Sequence, residues 1–214
     1  MRAVVRGAAL VLLICAARGQ SQPDAAEILK KVTQTYQDAT QYEFVMDTTY
    51  TDAAAAEARD FPTRLAFKSP DSYRIEGIIS EPYGEKMDLI YDGSTLWMYL
   101  PKSNRHASVP SDRVTPNDRA LGHFQPGFDA LGEARLLREE SIAAGGGAAA
   151  ECYVIRFELN AETVWVDKSR FYILREDSAT SSTIFKTVRL NEPLPDDLFK
   201  FVPPQGATRI DLPR

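Results

Sequence analysis

Cysteine and histidine are scarce in this chain, with only Cys15, Cys152, His106 and His123 among 214 residues. Zinc and histidine-based nucleophilic chemistry both require several such groups to converge, and neither histidine has a Cys or a paired carboxylate at metal spacing. No Gly-x-Ser-x-Gly elbow, phosphate loop or dinucleotide fingerprint is present, and Gly145–Gly147 sits among alanines without leading a strand into a helix. The carboxylate neighbours Glu139-Glu140 and Asp196-Asp197 diverge on a strand or helix, so neither makes an acid and base pair. The expectation is a chain without a metal, a cofactor or enzymatic activity. Basic excess is lacking too, since Asp and Glu outnumber Lys and Arg for a net charge of −5, which argues against nucleic acid as a partner.

Long apolar runs are also missing. The longest opens the chain, where Arg2 and Arg6 precede an apolar stretch from Ala8 to Ala17 and the small-residue site Ala17-Arg18-Gly19. This is the layout of a secretory signal peptide over 1–19, too short to span the hydrocarbon core. A single domain over 20–214 follows, exported and soluble. A rival route lipidates Cys15, which has Leu12 three residues before it but the bulky Ile14 directly before it. Loss of 1–19 leaves Cys152 unpaired at the head of the strand-like CYVIRFEL, read as a buried small hydrophobe.

What the chain does have is alternation. After DAAEILKKVTQTYQDA, whose Ile28, Leu29, Val32 and Tyr36 follow helical spacing behind Asp24 and Glu27 as a capping box, the period becomes two. YEFVMDTTYT puts Phe44, Met46, Thr48 and Tyr50 on one face, and RLAFKSPDSYRIEG puts Leu65 with Phe67 and Tyr73 with Ile75 around Pro70. A two-residue Asp92-Gly93 turn predicts Leu89 opposite Leu96 and Met87 opposite Met98, an apolar patch backed by a second face of Lys86, Asp88, Ile90, Thr95, Trp97 and Tyr99. Further strands are ECYVIRFELN, ETVWVDKSRFYILRED and SSTIFKTVRL. The intervening segment from Pro110 to Ile142 does not alternate, and its Leu121, Phe124, Phe128, Leu131, Leu136 and Leu137 predict short helical turns forming a flap. The pattern as a whole is a run of antiparallel strands with one amphipathic helix.

Three stretches carry a resemblance. YDGSTLWMYLP, LAFKSPDSYRIEG and DDLFKFVPPQGATRID resemble the periplasmic carriers that move lipoproteins to the outer membrane, the LolA family, across nearly the whole chain from the first helix to Ile210. The resemblance implies a mainly β fold, an unclosed antiparallel half-barrel with helices forming a lid over a concave apolar face that holds acyl chains. On that reading Leu65, Phe67, Tyr73, Ile75, Met87, Leu89, Leu96 and Met98 line the cavity. It also implies a monomer that takes acylated lipoproteins or lipid from an inner-membrane release complex and passes them to an outer-membrane receptor. Ser69 stands where the family places the arginine that latches the lid, leaving Lys68 and Arg74 as latch candidates, and AAAAEA before Arg59 is insertion-like. An envelope-stress sensor, a general lipid or glycolipid binder and, with Cys15 lipidated, an outer-membrane receptor are the alternatives on the same fold.

Overall fold

The computed structural model describes residues 23–50, 59–80, 85–143 and 149–211. The expected signal peptide with Cys15, the AAAAEA segment and Gly145–Gly147 lie outside the described residues. The first element is helix α1 (Ala25–Gln37), opened by Asp24, whose carboxylate accepts from the Ala26 N–H. That bond satisfies one orphan donor of the first turn. The helix buries Ile28, Leu29, Val32 and Tyr36, the stripe that the spacing predicts, each contributing about 2 kcal/mol by leaving water.

The rest is one twelve-stranded sheet: β1 (Gln41–Tyr50), β2 (Arg59–Lys68), β3 (Ser72–Ser80), β4 (Glu85–Tyr91), β5 (Thr95–Leu100), β6 (Arg105–Pro110), β7 (Ala134–Ala143), β8 (Ala149–Phe157), β9 (Thr163–Asp167), β10 (Ile173–Asp177), β11 (Ser181–Leu190) and β12 (Thr208–Arg209). The spatial order is β12-β6-β5-β4-β3-β2-β1-β11-β10-β9-β8-β7, so the two ends do not meet. This is an open β half-barrel. Register shifts at Val45/Met46, Ile75/Ile78, Leu136/Arg138 and Ile173/Arg175 bend the strands, which curls the sheet toward one side. In β3 the shift is made at Gly77, whose positive φ of 84° favours a residue without Cβ and whose N–H is taken by the Asp88 carboxylate.

Three expectations change. The β4–β5 register is offset by two residues, with Leu89 opposite Met98 and Tyr91 opposite Leu96. Asp92 Oδ1 accepts from both Ser94 N and Thr95 N, which widens the turn beyond Asp92-Gly93. Because the offset is even, every side chain keeps its predicted face. The flap ends earlier than expected, since Ala134–Ala143 is strand β7, whose alternation is hidden by its bulge at Leu136/Arg138. And β12 pairs in parallel with β6, so the sheet is not wholly antiparallel.

The convex side is covered differently in its two halves. Glu43, 5% exposed, joins Arg189 and Arg64, and Arg64 reaches Glu76, which Arg74 also pairs. Over β2 to β6 the C-terminal segment lies as a strap: Leu194 and Phe199 pack on Ala66, and the Phe201 ring lies 5.3 Å from Trp97 and 5.5 Å from Tyr99. The Pro-Pro-Gln-Gly-Ala turn then delivers Thr208 to its parallel pairing on the edge.

Candidate functional site

On the concave side the cross-strand partners form apolar rows. Leu65, Ile75, Leu89 and Met98 stand side by side across β2 to β5, and Phe67, Tyr73, Tyr91 and Leu96 form the next row. Ile78 and Met87 form a third, shorter row across the β3 bulge. All eight residues expected to line a cavity therefore share one face and one hydrophobic cluster. Six of them are buried, while Met87 and Leu96 are half-buried at its margin.

The cover over these rows comes from residues 111–133, while α1 packs beside it, its Tyr36 reaching Phe44 on β1 and accepting from the Ile173 N–H on β10. Helix α2 (Pro116–Ala120) starts with a reciprocal capping box between Thr115 and Asp118. Beyond it Gly122 lies on the Tyr73 ring so closely that a Cβ there would sit 2.4 Å from the Tyr73 Cβ. Phe124 enters an aromatic group with Tyr36, Phe44 and Phe185, and Phe128 stacks on Phe157. Aromatic pairs of this kind add about 1 kcal/mol each beyond the area they bury.

Polar ties to the cover come from tyrosines. The Tyr42 hydroxyl donates to the Gly122 carbonyl at 2.5 Å and accepts from the Phe124 N–H at 2.6 Å. The Tyr73 hydroxyl donates to the Asp118 carbonyl at 2.7 Å. Burial pushes the Tyr42 phenol up to about 12 and raises Tyr73 as well, so both are neutral donors throughout the ordinary pH range. Tyr42 lies on the same face as Phe44, and that even spacing was the available sequence signal for it. Gly122 had no such signal, because its role depends on the approach of a distant ring.

The latch candidates lie elsewhere. Lys68 pairs with Asp196, and Arg74 pairs with Glu76 and donates to the Leu198 carbonyl at 3.3 Å. Both bind the C-terminal strap on the convex side, where the alternation of their strands directs them. Glu176 on β10 does face the concave side, opposite Val164 and Thr183. Desolvation, reinforced by the nearby Glu162 charge, raises its pKa to about 7.

The scarce residues fall into ordinary positions. Cys152 is buried, its thiol pushed up to about 12 by burial and by nearby carboxylates, chiefly Asp167. His123 rests 4.4 Å from the Phe67 ring on the exposed side of the cover, and His106 on β6 lies 6.1 Å from Phe201. Glu139 and Glu140 pair with Lys168 and Arg138 respectively. Among the described residues no group of three or more His, Cys, Asp and Glu is placed to hold a metal, and no helix is long and apolar enough to cross a membrane. An open groove of about 1000 Å³ runs outside the concave rows, between α1 at Leu29, Thr33 and Gln37 and the chain at Gly132–Ala134.

No family model matches the chain. An uncharacterised protein of Methanocaldococcus jannaschii is 25% identical over 193 residues, covering 87% of this chain, and the chain spans about half (53%) of that relative's length. Among solved structures, an uncharacterised conserved protein of Thermus thermophilus is 15% identical with a TM-score of 0.48, covering 87% of this chain and 98% of its own. The lipoprotein LppX of Mycobacterium tuberculosis is 12% identical with a TM-score of 0.49, covering 80% and 97%. A LolA superfamily protein of Nitrosomonas europaea is 16% identical with a TM-score of 0.37, covering 84% and 99%. The chain is thus similar, at low identity, to solved proteins that include a LolA superfamily member, the family its hairpin and C-terminal motifs resemble.

Proposed function

We propose that this chain is an exported carrier that shelters acyl chains on its concave face, taking lipoproteins from the inner membrane and delivering them to the outer membrane. The observation that carries the reading is an apolar concave face four strands wide, from β2 to β5, closed by a separate segment. That segment is tied to the sheet through tyrosine hydroxyls and aromatic edges. No chemistry is required of such a protein. Each methylene withdrawn from water contributes about 0.8 kcal/mol, so an acyl chain crossing an aqueous compartment needs shelter of this kind. Release requires that open and closed states differ by a few kcal/mol, a gap that a donor complex and an acceptor receptor close by binding one state better.

On this reading residues 1–19 are removed on export and the protein acts as a monomer in the periplasm. Leu65, Phe67, Tyr73, Ile75, Met87, Leu89, Leu96 and Met98 then become the lining when the cover lifts. The test is displacement of a fluorescent acyl probe by palmitoylated peptide and by phospholipid, in the wild type and in Met87→Glu. Met87 is half-buried, so a carboxylate there reaches water in the empty protein and meets the acyl chain in the loaded one. A loss of about tenfold or more in probe affinity with unchanged circular dichroism is expected. A wild type that takes up no acyl probe refutes the carrier reading, and binding of phospholipid but not acylated peptide replaces lipoprotein delivery with general lipid carriage.

A further inference from the structure

The concave rows carry polar groups at two places: Glu85, paired with Arg105 at the end of the Ile78–Met87 row, and a threonine–glutamate group on β1, β11 and β10. Beyond Phe185 and Met46, Thr48 on β1 stands opposite Thr183 on β11, and Thr183 stands opposite Glu176 on β10. The two threonine hydroxyls bond one another at 2.9 Å. Glu176 is half-buried, and its other cross-strand neighbour, Val164, is almost wholly buried in the apolar cluster. The titratable groups that face it are Tyr36 from α1 and Glu162 from the turn before β9, and neither is a cation. Among the described residues no donor or positive group pairs with its carboxyl. The two buried carboxylates among the described residues, Glu43 and Asp167, are held by arginines or by hydroxyl and backbone donors.

A carboxyl partly withdrawn from water beside apolar neighbours and without a protein partner is costly, and a ligand that brings a hydrogen-bond donor offsets that cost. We infer that Glu176, with the Thr48–Thr183 hydroxyl pair, forms a polar subsite on the concave face for the headgroup of an amphiphile that donates hydrogen bonds and carries no negative charge. Hydroxyl, amide or ammonium groups satisfy the carboxyl, whereas a carboxylate or phosphate would place a like charge beside Glu176 and Glu162. The acyl tail then extends over Phe185 and Met46 toward the rows of β2 to β5. This inference rests on the carrier reading and names the class of amphiphile it takes. The raised pKa of Glu176 agrees with the geometry, and it makes selection against anions strengthen as the carboxyl ionises above about 7.

The experiment is displacement of a fluorescent acyl probe by monoolein, oleylamine and oleate at about pH 6 and about pH 9, in the wild type, Glu176→Gln and Glu176→Leu. At the higher pH the wild type is expected to prefer monoolein and oleylamine over oleate by about tenfold or more, with a smaller preference at the lower pH. Glu176→Gln, which retains size and hydrogen bonding, is expected to lose the preference for amine over oleate while still binding all three. Equal binding of oleate and monoolein by the wild type, or unchanged selectivity in both variants, overturns the subsite and leaves the carrier reading standing. Absence of binding by every probe overturns both.

Discussion

Tyr42→Phe isolates the tie between sheet and cover, because it removes one oxygen and nothing else. The ring is 3% exposed and stacks on Phe44 at 4.9 Å and Phe67 at 5.1 Å, contacts that phenylalanine keeps. What is lost is the bond to the Gly122 carbonyl and the bond from the Phe124 N–H. In the closed state both backbone groups would be stranded, at a cost of about 1–3 kcal/mol each, whereas in the open state water satisfies them. Taking the lower bound for both, closure weakens by about 2 kcal/mol, or roughly 30-fold in the ratio of open to closed molecules. Hydrogen exchange read by mass spectrometry should show that factor in peptides covering residues 111–124, with peptides from β8 unchanged, and acyl probe uptake should quicken accordingly. If the cover and β8 lose protection together, the cover is part of one cooperative core and does not open separately. If neither changes, the tyrosine ties contribute nothing to closure.

Gly122→Ala should lift the cover by steric means, since its Cβ would overlap Tyr73, a ring with no exposure and a hydroxyl fixed to Asp118; a loss of about 1–3 kcal/mol in thermal or urea unfolding is expected, and wild-type stability would contradict the packing described. Glu176 has a folded pKa of about 7 against an ordinary 4.5, so the native state binds its proton more tightly. Its contribution to stability is complete below about 4.5 and is lost as pH rises through about 7, on the order of 3 kcal/mol, and urea midpoints of Glu176→Gln should show this slope removed. Cys152, buried with its thiol raised to about 12, should resist a thiol reagent at about pH 8 in the folded protein and react at once in denaturant; rapid labelling of the native state would refute its burial.

Much of this molecule is legible in its sequence because the period-two alternation holds through β1, β2, β4 and β5 and through β3 as far as its bulge at Gly77. That is why Leu65, Phe67, Tyr73, Ile75, Met87, Leu89, Leu96 and Met98 fall on one face even though the β4–β5 turn differs from expectation. An error of two residues in register leaves facing unchanged, whereas an error of one would have inverted it. The period fails at bulges, and in β7 the extra residue Leu137 between the paired Leu136 and Arg138 hides the alternation. The edge strand β12 was hidden for another reason: two residues carry no period, and its parallel pairing depends on where the strap arrives. The ties of the cover escaped as well, since Tyr42 and Gly122 are far apart in sequence and their bond appears only once the chain has closed. Glu176 reads as one more charge in an alternating strand until Val164 and Thr183 show which side it faces.

The central claim is that the concave face is a container that opens, and native mass spectrometry of the protein purified from its own host, with extraction of whatever is bound, tests it most directly. The account predicts an amphiphile in about equimolar amount, an acylated polypeptide or a lipid, whose headgroup bears hydrogen-bond donors and no negative charge. A protein that emerges empty, and that then takes up no acyl chain offered to it, would mean that the rows of β2 to β5 are a filled core and would contradict the account.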